Sequence, residues 1–156
     1  MKNKSRQLLA LSTAFALALS ISVTSCKKDK DDDPKPMSAT VNGTSIDFST
    51  VTGVATNGMI ALEGLKDSSY IIINIPDVAT VNSTYDFEDL DMYYYDHKKN
   101  VIYASFTTNT HGLVTVSSYD KSGKKIAGKF DGVIYGWTSA NDSVVIKNGQ
   151  FNTTYK

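Results

Sequence analysis

The side chains best suited to recognising a ligand lie in residues 86–99, which read DFEDLDMYYYDHKK. Tyr93, Tyr94 and Tyr95 follow one another there, and the only tryptophan of the chain is Trp137. Aromatic faces can cover a sugar ring while hydroxyls and carboxylates hydrogen-bond around it, so these four residues are candidates for binding a carbohydrate or another ligand. The alternative is an edge strand or a long loop on which alternate tyrosines pack against a sheet. Because successive side chains of a strand face opposite sides, the three tyrosines cannot share one face if they lie on a strand.

The same segment carries five acidic groups within residues 86–96, and crowded carboxylates on a loop are ligands that calcium accepts. The EF-hand spacing is missing, because no glycine lies in the segment and apolar residues interrupt the carboxylates. A zinc site would need both histidines, His97 and His111, with a carboxylate such as Asp96, and their spacing does not require one. The chain lacks a Gly-x-Ser-x-Gly elbow and a glycine-rich phosphate loop before a helix. The sequence therefore predicts solvated histidines, no metal, no cofactor and no enzymatic activity.

Charge and cysteine content exclude several classes of protein. The 156 residues carry 16 basic and 16 acidic side chains, but no arginine follows Arg6. From Met37 onward there are nine lysines and twelve acidic residues, and nine minus twelve gives a net charge of −3. A nucleic-acid-binding domain normally presents a basic face, so no nucleic-acid partner is predicted. The single cysteine, Cys26, excludes an intrachain disulfide framework and a multi-cysteine metal site.

Residues 1–25 are predicted to be a lipoprotein signal peptide. Three basic side chains lie in the first six residues, and residues 8–21 are apolar or small and uncharged. That stretch is shorter than the roughly 20 residues of a membrane-spanning helix. Val23-Thr24-Ser25-Cys26 then resembles the bacterial lipobox, in which the cysteine is linked to a diacylglycerol and its new amine is acylated, for example with palmitate. Cys26 is therefore the predicted lipidation site, and the membrane is a predicted partner through this lipid anchor.

Residues 26–36 are predicted to be the lipidated cysteine and a charged, disordered tether. Residues 27–36 contain eight charged side chains, two prolines and no apolar side chain able to form a core. A Lys/Asp-rich run just after the cysteine resembles the surface-export signal of Bacteroidetes-type lipoproteins. The expected location is the outer membrane, lipid-anchored at the cell surface, and the alternative is an anchor that faces the periplasm.

Residues 37–156 are predicted to form an all-β domain. Apolar and polar residues alternate, as on Ile71, Ile73 and Ile75, and no stretch has helical periodicity with caps. Asn42-Gly43 between apolar runs indicates a tight hairpin, because both turn residues must accept positive φ. Gly128 and Gly132 lie on the predicted core face of a long strand, which indicates a bend or close backbone approach, and Asn148-Gly149 indicates a bulge. The predicted fold is an antiparallel β-sandwich, with an open β-barrel as the alternative.

The strand motifs resemble those of small Bacteroidetes lipoproteins of unknown function. Residues 39–43 match their opening A-x-V-[ND]-G hairpin, residues 126–130 their I-x-G-x-F strand, and residues 144–151 their closing V-x-I-x-x-G-x-F strand. The resemblance implies an exported all-β domain and carries over no catalytic residue.

Asp142-Ser143-Val144 resembles the Asp-Ser/Thr-apolar site at which exported Bacteroidetes proteins are O-glycosylated. Ser143 is therefore a candidate for modification, and the alternative is that these residues simply begin a strand.

Taken together, these features favour a lipid-anchored module that binds a ligand at the cell envelope, such as a glycan or an envelope protein. The first alternative is a structural or assembly subunit of an envelope complex, for which an exposed strand edge or apolar patch would be typical. A hydrolase is the more distant alternative.

Overall fold

A computed structural model describes residues 35–139 and 141–156, which form an antiparallel all-β domain. The predicted signal peptide, Cys26 and the tether up to Pro34 lie outside the described residues. The strands are β1 Met37–Val41, β2 Thr44–Asp47, β3 Thr50–Thr56, β4 Met59–Lys66, β5 Ser69–Pro76, β6 Thr84–Asp86, β7 Met92–Asp96, β8 Val101–Ala104, β9 His111–Asp120, β10 Lys125–Gly136 and β11 Ser143–Thr154, with a 3₁₀ turn at Phe87–Asp89. The prediction of an all-β antiparallel fold is confirmed.

All strands belong to one curled sheet that forms a half-barrel. The order is β2-β1-β11-β10-β8-β7-β5-β4-β3, while β9 pairs with the first part of β10 and carries β6 on its other side. At the end of the order, the Ala55 amide of β3 donates to the Lys156 carbonyl at 2.8 Å, and the Lys156 amide donates to the Gly53 carbonyl at 3.0 Å. The curled sheet thus encloses a core on its inner face and keeps a continuous hydrogen-bonded ladder. It is consistent with both predicted folds, the β-sandwich and the open barrel.

The turn chemistry read from the sequence produces the observed hairpins and bulge. Asn42 and Gly43 have φ of 46° and 81°, which is the double positive φ of a type I′ hairpin. In β11, three steps from Ile146 to Gly149 oppose two steps from Gly132 to Phe130 of β10, so one residue is extra. Asn148 lies in this bulge with φ of 52°. Both predictions are therefore confirmed.

Alternation determines which side chains fill the core. Ile71, Ile73 and Ile75 are fully buried as predicted, and Ile72 between them is half-buried on the outer face. The predicted close approach at Gly128 and Gly132 is also confirmed. A Cβ built on Gly128 would meet the Phe151 ring and the Thr115 carbonyl. Gly132 pairs across the sheet with Gly112, and a Cβ built on Gly132 would lie 2.7 Å from the ring of the buried Phe87.

Two tyrosines join the end of the chain to the middle of the domain. The Tyr119 hydroxyl donates to the Asp77 carbonyl at 2.9 Å, and the Tyr155 hydroxyl donates to the Tyr119 oxygen at 3.4 Å. Their rings are stacked with centroids 6.3 Å apart. Burial, and then the hydrogen bond with Tyr155, raises the pKa of Tyr119 to about 12.

We expect the domain to lose stability between pH 10 and pH 12. Tyr119 holds its proton more tightly in the folded state, so its stabilising contribution is complete below the unfolded pKa of about 10 and is lost as the pH rises through about 12. Tyr119→Phe should remove part of this alkaline loss, on the order of 1–2 kcal/mol after solvent screening. Urea unfolding of both proteins from pH 8 to pH 12 measures it, and parallel pH profiles would contradict the assignment.

Candidate ligand-binding surface

The tyrosine run forms β7, and its members alternate between the two faces of the sheet. Tyr94 points into the core, is 4% exposed, and its ring centroid lies 6.2 Å from that of the buried Tyr103. Tyr93 and Tyr95 are half-buried on the outer face. The structure thus separates Tyr94 from the two tyrosines with which the sequence grouped it.

Tyr95 belongs to a row of side chains that crosses neighbouring strands on the outer face. It pairs with Tyr70 of β5 on one side and with Ile102 of β8 on the other. The Tyr70 and Tyr95 ring centroids are 5.3 Å apart, with planes tilted by 34°. Beyond β8, the Trp137 amide donates to the Ile102 carbonyl at 2.8 Å. Trp137, the first residue after β10, is therefore the last member of the row.

Phe106 joins Tyr93 to Trp137. Its ring centroid lies 5.9 Å from that of Tyr93 and 5.4 Å from that of Trp137, with interplanar angles of 68° and 90°. Phe106 is 51% exposed and Trp137 is 57% exposed. We call Tyr70, Tyr93, Tyr95, Phe106 and Trp137 the aromatic strip. It unites three of the four predicted binding residues and adds Tyr70 and Phe106, which sequence reasoning did not select.

Hydrogen bonds hold the strip's loop in place. The buried Ser105, next to Phe106, donates its hydroxyl to the Leu90 carbonyl and accepts the Met92 amide at 2.9 Å. On the other side of Phe106, the Thr107 hydroxyl donates to the Ala104 carbonyl at 2.8 Å. Because these bonds order the backbone before any ligand arrives, less conformational entropy is lost on binding.

Neutral hydroxyls and the carboxylate of Asp91 lie beside the rings. Burial, and then the carboxylate of Asp91, raises the pKa of Tyr93 above its ordinary value, so its phenol stays protonated at physiological pH. The Tyr95 hydroxyl donates to the Asn100 side-chain oxygen at 3.0 Å, which leaves its own oxygen free to accept. His97 is exposed, and its ring packs edge-on against Tyr95 with centroids 6.1 Å apart.

Tyr94 instead lines a separate cleft of ≈ 550 Å³ between the β1–β2 hairpin and the turns after β4 and β7. Some charged groups of this cleft already have partners. Lys35 pairs with Asp47 at 2.6 Å, Lys66 pairs with Asp67 at 3.7 Å, and the Asp96 carboxylate accepts the backbone amides of Lys98 and Lys99 at 3.0 and 3.3 Å. The cleft has the size of a ligand pocket.

Ser143, the candidate for glycosylation, is half-buried at the start of β11, where it pairs with Tyr135. The preceding Asp142 accepts the Tyr103 hydroxyl at 2.7 Å, and that hydroxyl also accepts Lys99 Nζ at 3.2 Å. This network joins the turn after β7 to the turn before β11. Modification of Ser143 stays a prediction.

The acidic groups near the tyrosine run do not converge. Asp86, Glu88, Asp89 and Asp91 are all exposed, and within residues 35–139 and 141–156 no three His, Cys, Asp or Glu side chains are grouped as a metal site. His111 is exposed, so both histidines are solvated as expected. The described part of the chain also contains no helix of the length and apolar character needed to cross a bilayer.

Comparison with known proteins adds no relative: no protein-family model, no curated protein and no solved structure matches this chain.

Proposed function

We propose that the protein is a lipid-anchored binding module of the outer membrane, which holds a ligand of the cell envelope on the aromatic strip. The observation that carries this proposal is the contact between Phe106 and Trp137, two large rings that touch each other and are nevertheless 51% and 57% exposed. Contiguous exposed apolar surface that is bordered by polar groups is typical of interaction sites. Tryptophan and tyrosine are also the residues that most often dominate binding energy.

The point at which the tether enters the domain supports this arrangement. The Pro36 carbonyl accepts the Asn152 amide at 2.8 Å, so the chain arrives beside the last third of β11. Trp137 follows β10, whose Tyr135 pairs with Ser143 at the first residue of β11. Ser143 and Asn152 are nine steps apart along the strand, which is about 25–30 Å. The Trp137 end of the strip therefore lies near the first residue of β11, away from the residue beside which the tether enters. A ligand outside the membrane could reach the strip there.

Because Trp137 is the only tryptophan, its fluorescence reports on the strip without a label. We expect an envelope fraction that contains the ligand to lower acrylamide quenching of the purified lipoprotein by about half, since a bound ligand covers most of the surface it contacts. The fractions to compare are polysaccharide, peptidoglycan, protein and lipid vesicles.

Phe106→Ala should abolish this protection. The matched control is Leu113→Ala, which removes a side chain of similar exposure, 46%, from β9, and it should leave the protection unchanged. If no fraction protects Trp137, or if both variants behave alike, the strip is not the binding surface.

A structural role in an envelope complex is the second candidate, and the loop after β5 favours it. Val78 and Val81 of this loop are 77% and 51% exposed. If the protein has this role, the double variant Val78→Ser, Val81→Ser should be released from the complex, whereas Phe106→Ala should stay bound. Size-exclusion chromatography of gently solubilised envelopes measures the difference.

A further inference from the structure

We propose that the aromatic strip binds an uncharged polysaccharide whose chain lies across strands β5, β7 and β8, roughly perpendicular to them; this rests on the proposed function and names its ligand class. The strip is a row of rings rather than a closed pocket, so it suits a ligand that is extended, repetitive and open at both ends.

The spacing of the row is the first argument. Tyr70, Tyr95 and Ile102 occupy neighbouring strands in register, and Trp137 continues the row beyond Ile102. Strands are about 4.8 Å apart, so the row spans about 14 Å in three equal steps. One strand spacing is close to the length of one six-membered sugar ring in an extended chain. Each sugar would therefore meet one side chain of the row, and about four sugars would cover it.

The orientation of the rings is the second argument. Tyr70 and Tyr95 are tilted by only 34° to each other with ring centroids 5.3 Å apart, so their rings are partly stacked, whereas the Phe106 ring meets Tyr93 at 68° and Trp137 at 90°. The rings are therefore partly parallel at the Tyr70 end of the strip and edge-to-face at the Trp137 end, where Phe106 and Trp137 are the most exposed. The electron-rich face of an aromatic ring attracts the polarised C–H groups of a sugar, and the Tyr93 and Tyr95 hydroxyls lie beside the rings to hydrogen-bond with sugar hydroxyls.

Charge is the third argument and distinguishes the ligand from other classes. The charged groups beside the strip are of both signs: the Asp91 carboxylate is close enough to Tyr93 to raise its pKa, and the exposed Lys98 follows His97, whose ring packs on Tyr95. Lys99 is hydrogen-bonded to Tyr103 and paired with Asp142. The Asp91 carboxylate repels an acidic sugar or an anionic lipid headgroup at short range, whereas a neutral chain needs no matching charge there.

The test uses the purified full-length lipoprotein in a detergent without a sugar headgroup, with Trp137 quenching as the readout. The probes are α-glucan, β-glucan and mannan oligosaccharides of two to six residues, together with polygalacturonate and anionic lipid vesicles. We expect at least one neutral series to protect Trp137, with an affinity that rises up to about four residues and then stays constant.

Variants along the row make the test specific. Tyr70→Ala, at the end far from Trp137, should weaken binding of the longest oligosaccharide about tenfold, in the range of one stacked ring, and leave binding of the disaccharide unchanged. Tyr95→Phe keeps the ring and should retain most of the affinity, whereas Tyr95→Ala should lose it, and Leu113→Ala is the unaffected control.

The inference is overturned if no neutral series protects Trp137, if the disaccharide and hexasaccharide bind equally, or if polygalacturonate or vesicles bind better than every neutral chain. Its failure is distinguishable from that of the proposed function. If an envelope protein or lipid fraction protects Trp137 while neutral oligosaccharides do not, the binding function stands and the ligand class is wrong.

Discussion

Replacing Cys26 by alanine is expected to abolish lipidation completely and to leave the precursor with its signal peptide uncleaved. The thioether to diacylglycerol needs the Cys26 sulfur, and the chain contains no second cysteine that could replace it. Each buried methylene contributes about 0.8 kcal/mol and a single myristoyl chain holds a protein only marginally, whereas two or three chains give stable attachment. The measurements are metabolic labelling with a palmitate analogue and the mobility of the protein on a gel.

Ser25→Ala is the matched control, because it keeps a small residue beside the cleavage point and should be labelled and processed normally. Fatty-acid labelling that persists in Cys26→Ala would show that Cys26 is not the anchor. Protease shaving of intact cells then distinguishes surface display from a periplasm-facing anchor. If the charged run directs export, replacing Asp31, Asp32 and Asp33 by alanine should make the protein resistant to shaving.

Gly132→Ala is expected to be strongly destabilising, through a steric clash and without left-handed backbone strain. A Cβ at Gly132 would lie 2.5 Å from the Gly112 Cα and 2.7 Å from the Phe87 ring, and it would also meet the His111 carbonyl. Two of these three contacts are with the backbone of the paired strand, which cannot rotate away as a side chain could. Overpacking costs about 1–3 kcal/mol and occasionally more, and we expect about 3 kcal/mol, a large share of the roughly 5–15 kcal/mol that stabilise a domain.

Gly58→Ala is the control that separates a clash from backbone strain. Gly58 has φ of +77°, but a Cβ there would have no atom within 4 Å, so the cost should be about 1–2 kcal/mol of left-handed strain. Urea unfolding of the two variants gives the comparison. Equal losses would mean that the β9–β10 pair opens enough to admit a methyl group and that the close approach is not rigid.

Much of the β-domain could be predicted because its signals are local. Asn42-Gly43 forms the expected hairpin since a type I′ turn needs two residues that tolerate positive φ, and neither depends on distant contacts. The burial of Ile71, Ile73 and Ile75 follows from the period of two. By contrast, alternation alone does not indicate β6, because the three residues Thr84–Asp86 form a strand through pairing with Thr115, Val114 and Leu113 about 30 residues later.

The candidate site, too, combines features that depend on local sequence with features that depend on long-range strand pairing. Ile102 and Phe106 are four positions apart, a spacing that puts both on one face of a strand, but nothing in the sequence indicates which side chains of other strands that face meets. Tyr94 is adjacent in sequence to Tyr93 and Tyr95, but the pleat of the strand turns its side chain to the other face, as alternation predicts for a strand.

The sequence by itself therefore determined the β class and the two-sided character of each strand, because both depend on neighbours within a few residues. The lipobox at Cys26 and the charged tether stay predictions. Only the tertiary structure decided that Trp137 meets Phe106. That contact exists because the end of β10 leaves β9 and pairs with β8, where Tyr135 faces Ala104. The choice of partner strand is set by packing across the whole curled sheet, which makes the aromatic strip a property of the fold and not of any one segment.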